Sequence, residues 1–258
     1  MLNKSHANLV ATQFGPRASA YVSSVVHAEG ADLNRVVEIV RSHPAARVLD
    51  LGCGGGHVTF HVAPHVREVV AYDLSREMLA AVASVCRERG LENVTTRQGA
   101  AEHLLFADDA FDFVVSRYSA HHWHDFPHAL REARRVLMPG GGAVFIDAIS
   151  PNDSSMTTPL LDTYLQTVEL LRDPSHVRDY SADEWGSVLT NAGFAPSVTT
   201  RARVRLEFSS WVERIDAPLI HIQAIRSLQA NMAEDVVKYF EIEADGSFTI
   251  DAMILEAR

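Results

Sequence analysis

Residues 47–57 read R-V-L-D-L-G-C-G-G-G-H. A short apolar run, Val48-Leu49-Asp50-Leu51, stops abruptly in glycine. It is too short for a buried helix and is bounded by glycines, which reads as a buried parallel strand. Gly52, Gly54, Gly55 and Gly56 then permit a tight turn in which bare backbone can meet a ligand. A helix beginning near His57 would turn its first N–H groups toward that ligand. Strand, glycine turn and helix start together open a nucleotide-type binding site.

The next apolar run, Val69-Val70-Ala71-Tyr72, ends in Asp73. An acid one βα unit after the turn is placed to grip ribose hydroxyls. A dinucleotide fingerprint wants glycine where His57 stands, and no lysine of a phosphate-cradling loop is present. The turn therefore suits a nucleoside without a pyrophosphate.

V-L-D-L-G-C-G-G-G followed by A-Y-D-L-S resembles motifs I and II of the class I S-adenosylmethionine (SAM)-dependent methyltransferases. The resemblance continues through Q-G-A-A-E-H-L-L-F (98–106), F-D-F-V-V-S-R-Y-S-A-H-H-W (111–123) and R-R-V-L-M-P-G-G (134–141). It is nearest to the small-molecule branch that includes the ubiquinone/menaquinone-biosynthesis C-methyltransferases. It implies a doubly wound, mostly parallel seven-stranded α/β sheet, Rossmann-like, with a helical cap. It implies SAM as cofactor, leaving S-adenosylhomocysteine, with contacts at Asp50, Gly52, Cys53, Gly54, Asp73, Leu74, Met78, Ala100, Ala101, Glu102, Ser116 and Arg117. The family wording G-D-A-E becomes Gly99-Ala100-Ala101-Glu102 here, and Ala100 cannot make the side-chain bond to the adenine amino group. Losing one such bond costs about 1 kcal/mol, and backbone near Ala100 and Ala101 remains.

At 258 residues the chain is long enough for one large domain. A formal net charge of -10 argues against a broad nucleic-acid surface. Arg201, Arg203 and Arg205 alternate along an expected strand, as on a solvated face. No apolar run approaches a membrane span, and residues 1–6 lack the core of a signal peptide. Two cysteines, Cys53 in the turn and Cys86 in a helix, form no disulfide framework. The expectation is a cytoplasmic protein with a small-molecule partner, no nucleic acid, no stable membrane insertion, and a homodimer left open.

The spacing of Tyr21 and Val25 predicts a helix within residues 1–30; the resemblance implies that it closes as a lid, with Tyr21 and His27 as its polar candidates toward substrate, and a helix covering the sheet edge is the alternative. Asp32 reads as an N-cap for a helix whose Leu33, Val36, Val37 and Val40 recur at helical spacing. Strands are expected at 47–51, 68–72, 94–97, 111–116 and 143–149, with Pro139-Gly140-Gly141-Gly142 turning into the fifth. Ser75 caps a helix with Met78, Leu79, Val82 and Val85 inward. Residues 31–150 thus form the cofactor core. Residues 151–258 add helices at 157–172 and 181–192, a strand at 197–208, a helical stretch at 209–240 and a last strand at 247–256. The resemblance implies that insertions at 151–180 and 209–240 shape the substrate pocket.

SAM carries an already activated methyl, so orientation and water exclusion do most of the work, worth roughly 7–11 kcal/mol at best. His121-His122-Trp123-His124 follows the fourth strand, where ligands bind in open α/β sheets. A base near neutrality helps if the acceptor loses a proton. His122 is the first candidate for that role, His121 the second, and Trp123 a substrate contact. Loop-fixing histidines are the bland alternative, and Asp147 is a further polar candidate. No Cys/His spacing motif supports a metal site. Rival readings are a catalytically silent SAM-binding protein and a nicotinamide-dependent oxidoreductase, the second opposed by His57.

Overall fold

The computed structural model describes residues 5–22, 29–152 and 156–258; His27 lies outside them. Seven strands form one sheet in the order β3-β2-β1-β4-β5-β7-β6. They are β1 Arg47–Leu51, β2 Glu68–Asp73, β3 Val94–Gln98, β4 Phe111–Arg117, β5 Leu137–Ile149, β6 Pro196–Leu206 and β7 Phe248–Ala257. The first five run parallel, and β7 pairs antiparallel with both β5 and β6. The expected doubly wound, mostly parallel sheet is what the chain forms.

Its helices are α1 His6–Phe14, α2 Ala18–Val22, α3 Ala31–Val40, α4 His57–Val62, α5 Arg76–Glu88, α6 Phe126–Val136, α7 Thr158–Arg172, α8 Ala182–Asn191, α9 Phe208–Glu213, α10 Leu219–Asn231 and α11 Glu234–Tyr239. Strand alternation sends β1 side chains to both sides of the sheet. Leu49 and Leu51 join the layer under α6 and α8, whereas Val48 joins the layer under α3 and α4. All three are fully buried, each contributing about 1.5–3 kcal/mol of hydrophobic stabilisation. A third cluster packs α7, α9, α10 and α11 over the ends of β6 and β7.

Caps match the sequence at several helix starts. Ser75 accepts from the Met78 N–H, Asp125 from the His128 N–H, and Ser181 forms a full capping box with Glu184. The expected cap at Asp32 is not formed. Gly30 holds the cap position, and the Asp32 carboxylate instead takes the Arg117 guanidinium at 2.5 Å. A long-range ion pair outcompetes the local bond. Strand β5 also begins earlier than expected, at Leu137. Phe111 pairs with Leu137, and Phe113 pairs with Gly142, so the Pro139–Gly142 stretch bulges out of register without leaving the strand. Arg203 and Arg205 lie on the exposed edge strand β6, paired with Asp251 and Glu243.

Candidate active site

A cavity of about 710 Å³ opens at the C-terminal ends of β1, β2 and β4, the crevice side of an open α/β sheet. Its inner end is the glycine turn after β1. Asp50 lines the cavity but is held from behind: its Oδ2 accepts from the Thr59 N–H at 3.0 Å and the Thr59 hydroxyl at 2.6 Å, tying β1 to α4. Burial pushes its carboxyl up to about 7, against the two Thr59 bonds. One first-turn N–H of α4 is therefore taken by protein, contrary to the expectation that these groups all face a ligand.

The glycines divide their work. A Cβ on Gly54 would meet open space, and its φ of +49° lies in the left-handed region that favours glycine. Gly54 is thus bare backbone turned to the cavity. A Cβ on Gly55 would lie 2.8 Å from the Tyr21 carbonyl, so this glycine admits the backbone of α2 rather than a ligand. His57 secures the same contact, its Nε2 2.8 Å from the Tyr21 oxygen. The histidine that replaces the third glycine fastens a helix over the site.

Asp73 ends β2 beside the turn. Its Oδ2 accepts from the Gly54 N–H at 2.9 Å and its Oδ1 from the Ser75 N–H at 2.8 Å. Burial raises its carboxyl, and those backbone bonds hold it down. The Leu74 N–H adds a third backbone bond, and the carboxylate lines the cavity as the kind of acceptor that ribose hydroxyls need. Leu74, Met78, Ala100, Ala101 and Glu102 line the same end. Glu102 accepts from the Asp125 N–H at 3.2 Å, which brings Asp125 and His128 to the wall. The Ala100 carbonyl accepts from the Tyr72 hydroxyl at 3.3 Å, so the segment that lost its acidic residue is pinned from the core side.

The outer end is walled by Val10, Phe14, Tyr21, Tyr118, Ser119, His122 and Trp123. Trp123 is buried and donates from Nε1 to Ser119 Oγ at 3.2 Å. Tyr118 sits at φ +49°, a rare conformation for a tyrosine, directly after β4. The adjacent histidines part company. His121 Nδ1 lies 2.6 Å from Asp147 Oδ1, and burial, which disfavours the imidazolium, is overridden by Asp147 with help from Asp179 and Glu169, lifting it to about 9. His122 is pushed down, first by burial and then by the charge on His121. Two like groups thus stand in opposed environments. The ligand-type atoms of His121, Asp147 and Asp179 lie within 4.8 Å of one another. Asp147 is already engaged there by His121 and by the Ala120 and Ala148 N–H groups.

The chain matches the model of the methyltransferase domain over residues 49–145. It is 47% identical over 206 residues to the protein YafE of Escherichia coli K12, covering 80% of this chain and 97% of that one. It is 36% identical over 207 residues to the methyltransferase YcgJ of Bacillus subtilis, covering 80% of each. The crystal structure of YcgJ superposes with a TM-score of 0.81 at 32% identity, over 88% of this chain and 97% of that one. The chain is a SAM-dependent methyltransferase. A more distant relative, the mitochondrial arginine hydroxylase NDUFAF5 of Danio rerio, is 32% identical over 187 residues, 70% of this chain and 54% of that protein.

Most site residues expected from the sequence meet at the methyltransferase's cavity; His27 is outside the described residues, and two of the described ones do not line the wall. Ser116 is buried off the wall, its hydroxyl without a partner among the described residues. His121 lies behind the wall on Asp147. Arg117 does line the cavity, tied to Asp32. Cys53 lines it too, and burial raises its thiol well above the usual range. Burial also raises the Tyr21 hydroxyl. No described residue beyond His128 lines the cavity, so the 151–180 and 209–240 segments act on it only at second hand. The loop after α7 does so most directly: the Val177 N–H donates to the His121 carbonyl at 2.8 Å, and the Ser175 carbonyl meets His122 Nδ1 at 3.2 Å and His6 Nε2 at 3.0 Å. Sequence reading named the segments 151–180 and 1–30 but not the residues Ser175, Val177, Val10 and Phe14 within them, because their distance along the chain hides the contact.

Proposed function

We propose that this methyltransferase transfers the methyl group of SAM to a small molecule held between the glycine turn and His122. One observation carries the reading: a single cavity of about 710 Å³ runs from Gly54 and Asp73 to Phe14, Tyr21 and His122. That size suits a nucleoside-type cofactor plus a modest acceptor. The open space at Gly54 and the Asp73 carboxylate on the cavity wall support a fit to the methionine and ribose parts of the cofactor. When bound, SAM supplies a methyl group already activated by its sulfonium. Asp73 would accept from ribose hydroxyls, backbone near Ala101 would meet adenine, and Met78 would pack on its face. Asp50 shapes the turn. Trp123, Phe14 and Tyr21 would exclude water and orient the acceptor, with His122 as its base.

In this reading residues 1–30 are a lid, residues 31–150 the cofactor core, and residues 151–258 complete the sheet and brace the His121-His122 turn. No described helix is long and apolar enough to cross a membrane. A cytoplasmic setting suits the two free cysteines, Cys53 and Cys86. A homodimer belongs to the same proposal and is tested by light scattering.

Methyl-labelled SAM incubated with metabolite extracts tests the activity. Label appearing on a small acceptor supports it. A silent binder leaves all label on SAM while still binding it. A hydroxylase, the activity in the name of one relative, would oxygenate its substrate and move no methyl.

A further inference from the structure

Behind the cavity wall three segments converge: the turn after β4 with His121, the end of β5 with Asp147, and the loop after α7 with Asp179. None of the three residues lines the cavity, and no spacing motif in the chain links them. Asp147 and Asp179 are each 2% exposed. One nitrogen or oxygen from each side chain falls within 4.8 Å of the other two. All three are held from their own side. The Val177 and Arg178 N–H groups donate to the His121 carbonyl at 2.8 and 3.3 Å. Gln166 clamps Asp179 by its main chain, Oε1 accepting from the Asp179 N–H at 3.0 Å and Nε2 donating to the Asp179 carbonyl at 2.9 Å. The Ala148 and Ala120 N–H groups, each at 2.9 Å, fix Asp147 through Oδ1 and Oδ2. Donors positioned in advance in this way are what a bound ion needs.

A second observation points to a cation. Asp179 Oδ2 is buried and has no hydrogen-bond partner among the described residues. His176 Nε2 lies 3.9 Å from it but gives its hydrogen to Gln166 Oε1 at 3.1 Å. The Gln166 amide nitrogen is committed to Asp162 Oδ1 at 3.0 Å and to the Asp179 carbonyl, so the Gln166 oxygen is the acceptor in that contact. A buried carboxylate oxygen without a donor is costly, and the Asp147 carboxylate beside it adds like charge. A divalent cation among the three side chains relieves both.

We propose that His121, Asp147 and Asp179 form a binding site for one divalent transition-metal ion of the zinc class. The imidazole nitrogen selects that class: magnesium and calcium take oxygen ligands, whereas one nitrogen with two carboxylate oxygens suits zinc. Zinc bonds to such atoms at about 2.0–2.2 Å, which sets them about 3.4 Å apart. His121 Nδ1 and Asp147 Oδ1, 2.6 Å apart in the ion-free chain, would part by about 1 Å or less, and the Asp179 carboxylate would close by at most about 1.5 Å. The hydrogen between Nδ1 and Oδ1 leaves for solvent as the ion enters, and water completes the shell. The ion would tie β5 and the loop after α7 to the turn that presents His122, bracing the wall without touching cofactor or acceptor. The site does not depend on the methyl-transfer reading.

The test uses the full chain without a histidine tag, stripped with EDTA and titrated with zinc chloride by calorimetry. One equivalent is expected to bind saturably, and the melting temperature should rise as zinc is added. Magnesium chloride at the same concentrations should leave the melt unmoved. Asp179→Asn keeps the volume and removes the charge, and it should weaken zinc binding by about tenfold or more; His121→Gln should do the same. Circular dichroism confirms that each variant folds. If neither does, a wild-type crystal soaked in zinc chloride decides. An anomalous peak among the three side chains supports the proposal, and a peak only at the cavity-mouth histidines His6, His124 and His128 overturns it. No saturable zinc binding by wild type, or unchanged affinity in folded Asp179→Asn and His121→Gln, also overturns it.

Discussion

Replacing Asp73 with alanine removes three things at once. The Gly54 N–H loses its acceptor at 2.9 Å, the Ser75 N–H loses one at 2.8 Å, and the cavity loses the carboxylate offered to ribose. A hydrogen bond to a charged acceptor contributes about 1.5–3 kcal/mol. Two ribose bonds lost, partly replaced by water, give about 2–3 kcal/mol, or roughly 30–150-fold weaker binding. Folding should suffer separately by about 1–2 kcal/mol, because the turn and the start of α5 each lose one tie. The assay is calorimetric titration with S-adenosylhomocysteine, with urea unfolding run in parallel. The two effects separate because binding is measured below the unfolding transition. Asp73→Asn should fall between wild type and Asp73→Ala, since its amide can serve Ser75 but offers a donor to the Gly54 N–H. Unchanged affinity in Asp73→Ala would refute the ribose role outright.

Three further outcomes are expected. Gly54→Val should abolish measurable S-adenosylhomocysteine binding while lowering stability by only about 1–2 kcal/mol, because its side chain enters the open cradle at φ +49°; retained binding would show that the cofactor avoids the turn. His121, lifted from 6.5 to about 9, binds a proton more tightly folded than unfolded, so its contribution is complete below about pH 6.5 and fades as pH rises through 9. Urea unfolding should therefore show wild type losing up to about 3 kcal/mol across that window, a slope that His121→Gln removes; equal slopes would sink the ion-pair assignment. Ser116→Ala should leave stability unchanged or raise it by about 1 kcal/mol, since its buried hydroxyl has no partner to lose; a drop of several kcal/mol would reveal a missed bond.

The cofactor end of the site was legible because its parts are local. Gly52–Gly56 and Asp73 act through backbone geometry and a strand end, and both leave fixed marks in the chain. Strand β1 was readable to the residue because an apolar run against glycine allows few other structures. The acceptor end was not legible in the same way. Asp173 and Ser175 reach His122 from 53 residues away in the chain in the case of Ser175, and no periodicity announces such a contact. Asp32 misled for the same reason: its capping chemistry is local, but Arg117 lies 85 residues on and binds it more strongly. The glycines at 140–142 read as a turn because glycine favours both turns and bulges, and only pairing with β4 decides between them. The two histidines look alike as letters; Asp147 beneath one and a backbone carbonyl beside the other make them different.

A crystal of the full chain grown with S-adenosylhomocysteine tests the central claim most directly. The expected density places the ribose hydroxyls on Asp73, the amino-acid end at Gly54 and the sulfur toward His122. An adenosyl group bound elsewhere, or a cavity closed by protein side chains at Gly54, would contradict it.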